Sequence, residues 1–285
     1  MAILGLGNMG AGMANRLLST PFPLIVYNRN AERAAQFARA GTAVANSPRE
    51  AAANADIVIS MIADDDASRF VWLGEEGALA GAAKGAVLIE CSTLTVTWVR
   101  ELAAVAEKQG CQFLDAPVTG SKTHAANGEL LFLVGGSAAA LEKARAVLAV
   151  LGRDVVHLGP VGCGAYLKLI NNFICGVQAA SFAEAASMIR AGGLDVEKAQ
   201  AVLTNGAPGS PLVKAISARV AANDPTVNFS LRLMAKDLRY ALEEAARNGI
   251  SLHTAASALE LFQRAIAGGY GDKDFSAVIS SIQPQ

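Results

Sequence analysis

Cysteine is scarce in this chain, with four among 285 residues: Cys91, Cys111, Cys163 and Cys175. None forms a Cys-x-x-Cys pair, and none falls beside histidine at metal-ligand spacing, so no metal site is expected and the thiols read as reduced and mostly buried. The histidines are only His124, His157 and His253, and they are scattered. His157, in Val155-Val156-His157-Leu158, reads as a structural residue at a strand end, whereas His124 falls in a loop beside a candidate site. An excess of charge of either sign is also lacking. There are 24 basic and 25 acidic residues and no basic block, which argues against a nucleic-acid partner. No run of 18 apolar residues free of charges and strong polar groups occurs, so no transmembrane span is expected. The first strand begins at Ala2, leaving no room for a leader, and the expected location is cytoplasmic. Internal repeats and low-complexity linkers are missing too. What is plentiful is hydrophobic residues, 52% of the chain with a mean hydropathy of +0.33, much of it the alanine that suits tightly packed helices. The length allows one large domain or two ordinary ones.

The most informative segment is Gly5-Leu6-Gly7-Asn8-Met9-Gly10. It follows a short apolar run, Ala2-Ile3-Leu4, and precedes helical spacing from Ala11 to Ser19. A glycine-rich turn between strand and helix holds a dinucleotide. Gly5 permits the tight turn, Gly7 lets the backbone approach a pyrophosphate, and Gly10 lets helix and strand pack closely, while the helix N-terminus faces the phosphates.

Strand and helix then alternate. Strands are predicted at Leu24–Tyr27, Thr42–Ala45, Asp56–Ile62, Ala86–Glu90, Gln112–Leu114, Leu130–Val134 and Asp154–Leu158. Helices are predicted at Ala31–Arg39, Val96–Gln109 and Ala138–Leu151, with a helix start at Ser47-Pro48-Arg49-Glu50. This pattern implies an α/β, Rossmann-type doubly wound, mostly parallel sheet. The second strand ends in Asn28-Arg29-Asn30 where an NAD-specific site usually carries a carboxylate for the ribose. Arg29 can pair with a 2′-phosphate, so NADP(H) is preferred and NAD(H) remains possible. The alternative is that Arg29 stacks on the adenine or is solvated.

After about Gly162 strand-like alternation stops and alanine-rich helices take over, giving an all-α C-terminal domain. The expected division is a cofactor domain at 1–161 and a helical substrate and oligomerisation domain at 162–285. A helix from Gly164 to Ala191, roughly 40 Å long, is apolar nearly all round and reads as a core element. Gly164, Lys168 and Asn172 lie along one of its faces. Lys168 there needs a partner or a function, or else snorkels at an exposed helix start. Further helices are predicted at Val196–Leu203, Leu212–Ala221, Leu231–Asn248 and Ser251–Ala267.

Taken with Ser92-Thr93, Asp115-Ala116-Pro117-Val118-Thr119-Gly120-Ser121, Gly164-x-x-x-Lys168-x-x-x-Asn172 and Lys236-Asp237-Leu238, the glycine motif resembles the β-hydroxyacid dehydrogenase family over essentially the whole chain. That family includes 3-hydroxyisobutyrate dehydrogenases, tartronate semialdehyde reductases and glyoxylate/succinic semialdehyde reductases. Gly120-Ser121-Lys122, Asn228-Phe229-Ser230-Leu231 and Gly271-Asp272-Lys273-Asp274-Phe275-Ser276-Ala277 are most similar to the last branch. The resemblance implies an NADPH-dependent reductase of small aldehydo-acids with Lys168 as general acid. It implies that Thr119, Gly120 and Ser121 bind the substrate carboxylate and that Asn172 holds the lysine or the substrate. Phe229 would wall the pocket, with Asp237 nearby. Met61, Ile62, Thr93 and Lys236 would join residues 5–10 and 28–30 at the cofactor. Each motif also has a plainer alternative: Thr119–Ser121 as an ordinary turn, Lys236–Asp237 as a surface pair, and Thr93 as the N-cap of the next helix. Departures from the family pattern are Thr119 in place of serine, the loop Thr123-His124-Ala125-Ala126-Asn127-Gly128, and Asn205–Pro211. The rival activity is a dehydrogenase of 3-hydroxyisobutyrate, tartronate semialdehyde or a β-hydroxy amino acid. An imine reductase or a non-catalytic NADP sensor fits the presence of Lys168 less well. The apolar helical half suggests a homodimer or tetramer, with Gly271–Ile279 closing the site.

Overall fold

The computed structural model describes residues 1–282, in two compact units, Met1–Lys168 and Leu169 onward. In the first unit, β1 (Ala2–Leu4) leads into α1 (Asn8–Leu18), β2 (Ile25–Tyr27) into α2 (Ala31–Arg39), and β3 (Ala43–Val44) into α3 (Pro48–Ala52). Next come β4 (Ile57–Ser60), α4 (Asp65–Leu73), α5 (Ala78–Gly81), β5 (Val87–Glu90) and α6 (Val96–Lys108). The unit continues with β6 (Gln112–Asp115), β7 (Val118–Thr119), α7 (Lys122–Asn127), β8 (Leu130–Gly136), α8 (Ala138–Leu151) and β9 (Gly152–Gly159). It ends in the first turns of α9 (Cys163–Ala191).

The sheet order is β3-β2-β1-β4-β5-β6-β8-β7, with β9 also paired to β8. Pairings from β3 through β6 are parallel, as is β8 with β9; β8 runs antiparallel to β6 and β7. This is the mostly parallel, doubly wound sheet expected. β1 lies between β2 and β4, so the chain reverses direction across the sheet there, and the turn after β1 is where such folds receive a ligand. Ile3, Leu17, Val26, Ile59, Ile89 and Phe132 are among the residues of its core.

Local chemistry explains several boundaries. Ser47 caps α3 by accepting from the Glu50 N–H at 3.1 Å, with Pro48 at the first helical position. Glu50 reaches back to the Asn46 N–H rather than to the cap residue. Asp64 caps α4 by accepting from the Ala67 N–H. His157 faces the Gly136 carbonyl at 2.8 Å, the structural role expected of it. Three differences from the sequence reading matter. α1 begins at Asn8, a turn before Ala11, because Gly10 can be helical while touching the preceding turn. α4 and α5 were not anticipated. His124 is in a helix, α7, and not in a loop: Gly12 lets α7 approach α1, for a Cβ there would stand 3.0 Å from Ala125.

The second unit holds the rest of α9, then α10 (Val196–Asn205), α11 (Pro211–Ala221), α12 (Leu231–Arg247) and α13 (His253–Ala265), a π turn at Ile266–Tyr270 and a 3-10 turn at Phe275–Ser281. Its own core gathers Phe182, Ile216, Met234, Leu238, Phe262 and Val278. α9 is not buried all round in the single chain: Ile174 is 44% and Met188 75% exposed. Among the described residues no helix is long and apolar enough to cross a membrane.

Candidate functional site

The glycine turn has the tolerances its sequence demands. A Cβ on Gly10 would stand 2.0 Å from the Gly5 carbonyl oxygen, and one on Gly5, at φ +96°, would stand 2.4 Å from the Met61 carbonyl oxygen. These two glycines close the turn onto the end of β4. Gly7 differs: a Cβ there would meet only Arg33, 4.0 Å away, so its missing side chain leaves open space. That space belongs to a groove lined by Gly7, Asn8, Asn15, Arg33, Lys122 and Thr123 among others. Gly7 is also the N-cap of α1 and brings no side chain to satisfy the first-turn amides. An uncapped helix start with two flanking cations fits the phosphates of a dinucleotide.

The residues assigned to the cofactor divide by role. Leu6 is buried in the core and faces the turn only with its backbone; its N–H donates to Asn28 Oδ1 at 2.8 Å. The Asn28 amide donates in turn to the Asn30 carbonyl, and Asn30 Oδ1 caps α2 by accepting from the Glu32 N–H. The two asparagine side chains thus shape the turn, and Arg29, which is exposed, is the charged group of the three. Met9, Met61, Ile62 and Thr93 are half-buried. Thr93 is not the cap of α6, because Thr95 fills that position and its own hydroxyl donates to Asp65.

Beneath Met61 and Ile62 lies a polar network that the sequence reading missed. Ser92 Oγ accepts from the Ile62 N–H at 2.8 Å, and the Ser92 N–H donates to Glu90 Oε1 at 2.9 Å. The other Glu90 oxygen accepts from Ser68 Oγ and Trp72 Nε1, both at 2.9 Å. Three donors hold a fully buried carboxylate, which fixes the β4 and β5 ends where the cofactor is expected. The available signal was a glutamate closing an otherwise apolar strand. Arg33 was missed as well, though it stands one helical turn beyond Arg29. Cys91 is buried here, and burial and the neighbouring Glu90 push its thiol well above its ordinary value, so it is inert.

Thr119 closes β7, and Gly120 takes φ +134°. Ser121 then starts α7, and its N–H donates to His124 Nδ1 at 3.1 Å, with Ser121 Oγ 2.8 Å from the same nitrogen. An imidazole nitrogen that accepts an N–H is the bare nitrogen of its ring, so Nδ1 serves here as the acceptor at the start of α7.

Asp115, at the end of β6, is fully buried and aims at the start of α9. It accepts from the Gly162 and Ala165 N–H groups, both at 2.8 Å. Burial raises its carboxyl to about 6, against the opposing effect of these hydrogen bonds. Lys168 follows on the second turn of α9, half-buried.

In the second unit Asn172, Lys236 and Asp237 come together. Asp237 is fully buried; its Oδ2 accepts from Asn172 Nδ2 at 2.5 Å, and its Oδ1 lies 3.1 Å from Lys236 Nζ. Asn172 Oδ1 accepts from Asn171. The pair is therefore not a surface charge pair. Phe229 is fixed from the other side of its loop. Asp274 accepts from the Asn228 and Phe229 N–H groups at 2.9 and 3.2 Å, the Phe275 N–H donates to the Phe229 carbonyl, and the two rings meet edge to face with centroids 6.0 Å apart. The segment Gly271–Ile279 is thus laid along residues 228–232.

Among the described residues no His/Cys/Asp/Glu group could hold a metal ion. Residues 1–159 match the family model described as the NAD-binding domain of 6-phosphogluconate dehydrogenase. Residues 162–282 match that described as NAD-binding of NADP-dependent 3-hydroxyisobutyrate dehydrogenase. An NAD-dependent L-serine dehydrogenase of Pseudomonas aeruginosa is 35% identical, with 100% of this chain and 98% of that protein covered. Glyoxylate/succinic semialdehyde reductase 2, chloroplastic, of Arabidopsis thaliana is 34% identical, with 99% and 79% covered. A solved structure of Mycobacterium tuberculosis 3-hydroxyisobutyrate dehydrogenase with L-serine superposes with a TM-score of 0.89 at 33% identity, covering 99% of this chain and 98% of that one.

Proposed function

The chain belongs to the β-hydroxyacid dehydrogenase family of NAD(P)-dependent oxidoreductases, and from that premise we propose that it reduces small aldehydo-acids such as glyoxylate and succinic semialdehyde with NADPH. The observation that carries the reading is Lys168: a half-buried ammonium group on the second turn of α9, whose start is clamped to the end of β6 by Asp115. When bound, the nicotinamide would supply the hydride for the carbonyl carbon. Lys168 supplies the rest, meeting the negative charge that grows on oxygen and giving it a proton; run backwards, neutral Lys168 takes that proton. Asn172, held by Asp237, orients the lysine or the substrate. Thr119, Gly120 and Ser121 receive the substrate carboxylate, with Ser121 released from His124 as they do so, and the Thr119 methyl trims the room for larger substrates. Phe229 walls the pocket, and Lys236 serves the cofactor. Residues 1–161 carry the cofactor and 162–285 the substrate and the subunit contacts, in a cytoplasmic enzyme.

NADPH is the preferred cofactor on this reading, because Arg29 and Arg33 offer two guanidinium groups and residues 28–30 include no carboxylate. Arg29→Ala is expected to raise the KM for NADPH about tenfold, the worth of one charge-assisted hydrogen bond, while that for NADH moves less than about twofold. Equal changes for both cofactors would remove Arg29 as the reader of the 2′-phosphate. The exposed Ile174, Met188 and Val202 support a homodimer or tetramer. Light scattering is expected to give at least twice the mass of one chain, and a monomer would count against the association.

The deciding experiment is a set of initial rates with NADPH and NADH against glyoxylate, succinic semialdehyde, tartronate semialdehyde and a cyclic imine, with L-serine plus NAD or NADP in the oxidative direction. Aldehydo-acid turnover with NADPH ahead of NADH is the expected result. Serine oxidation well above aldehydo-acid reduction would favour the β-hydroxy amino acid dehydrogenase reading, to which the 35% identical Pseudomonas aeruginosa relative points.

A further inference from the structure

We infer that Asp115 is a positioning residue for Lys168: its carboxylate supplies, from the end of β6, the N-terminal cap that α9 lacks in its own sequence, and so fixes where the lysine is presented. The inference rests on the reading of Lys168 as the acid. The residue ahead of α9 is Gly162, which has no side chain to cap with and takes φ +97°. Asp115 fills that role across 47 and 50 positions of sequence, accepting from Gly162 N–H with Oδ1 and from Ala165 N–H with Oδ2. Caps of this kind satisfy the orphan donors of the first turn.

The surroundings are built to admit this carboxylate. A Cβ on Gly135 would stand 2.4 Å from Asp115 Oδ1, and one on Gly164 would stand 3.0 Å from Oδ2 and 2.2 Å from the Leu133 carbonyl oxygen. Gly164, which opens the Gly164-x-x-x-Lys168 spacing, is therefore needed for the approach of α9 to β6 and β8. Lys168 lies one turn beyond Ala165, so a first turn that frays or shifts carries the lysine with it.

The cap works through a charge. Ionised, Asp115 accepts at both oxygens; protonated, it loses acceptor capacity at one of them. Its carboxyl titrates near 6, inside the range where such an enzyme is assayed. The charged and titratable groups on the elements packed against it include Glu90, in register beside it on β5, Arg100 on α6 against Gly162, and His157 on β9 against Gly136, with Lys168 further along α9.

The test compares wild type, Asp115→Asn, Asp115→Ala and Lys168→Ala in glyoxylate reduction from pH 5 to 8. NADPH binding is followed by fluorescence and folding by thermal melting. At pH 8, Asp115→Asn is expected to lower kcat about tenfold and Asp115→Ala about a hundredfold, with NADPH affinity within twofold of wild type. The wild-type rate is expected to fall on the acid side with a midpoint near 6 and to converge on the Asp115→Asn rate at pH 5, while Asp115→Asn itself has no such limb. Wild-type kcat and an unchanged acid limb in Asp115→Asn, with Lys168→Ala inactive, would overturn the inference and leave the reading of Lys168 intact. Loss of NADPH binding or of a cooperative melt in parallel with kcat in both Asp115 variants would also overturn it, by making Asp115 a general support. Undiminished turnover in Lys168→Ala would instead overturn the reading beneath it.

Discussion

Lys168→Ala is expected to cut turnover at least a hundredfold, on the order of what a general acid contributes, with NADPH affinity within about twofold of wild type. The reasoning is one of charge. Hydride transfer to a carbonyl leaves an alkoxide, and in a site closed to water that charge is costly unless a donor is already in place. Lys168 is half-buried and held on the second turn of a capped helix, so its ammonium needs little reorganisation to act. Alanine at this position removes both the stabilising charge and the proton. Because the glycine turn, Arg29 and Arg33 are untouched, cofactor binding survives. Single-turnover reduction alongside a fluorescence titration separates the two effects, and unchanged turnover removes Lys168 as the acid.

The second large effect is on stability. Asp237→Ala is expected to cost about 3–5 kcal/mol, the usual penalty for removing one member of a buried charged pair. Asp237 is fully buried, and it joins the Asn172 amide to the Lys236 ammonium, whose side chain is 11% exposed. Without it, both groups lose a carboxylate for which they have already been desolvated. Asp237→Asn keeps the shape and an acceptor for Asn172 and is expected to fall between alanine and wild type. Urea denaturation measures the difference; a shift below about 0.5 kcal/mol for alanine would mean that water or neighbouring groups replace the carboxylate.

What was legible in the sequence was what is local. The glycine turn, α2, the Ser47-Pro48 start of α3 and the extent of α8 depend on residues within a few positions of one another, and they appear where periodicity and capping chemistry put them. α4 was missed although Asp64-Asp65-Asp66 supplies its cap and the acidic first turn that a helix favours. α7, six residues long, is too short for periodicity to register. The motifs proposed for the site were legible as an ordered set, and the supports beneath them were not. Glu90 and Asp115 look alike in sequence, each an acid closing an apolar strand. One holds Trp72 and Ser92, the other the start of α9, through partners that only the fold supplies. Lys236-Asp237 reads as a surface pair until Asn172, 65 positions away, is brought against it.

The ties between residues 228–232 and 271–275 bear on how such chains exchange parts. The Leu231 N–H donates to the Lys273 carbonyl and the Arg232 N–H to that of Gly271, beyond the contacts already made by Asp274 and Phe275. Two stretches some forty residues apart therefore behave as one structural piece. A chimera that imports the Phe229 loop from a relative without the matching tail would pair a new wall with an old brace. Recombination in this protein is best made with both stretches moving together.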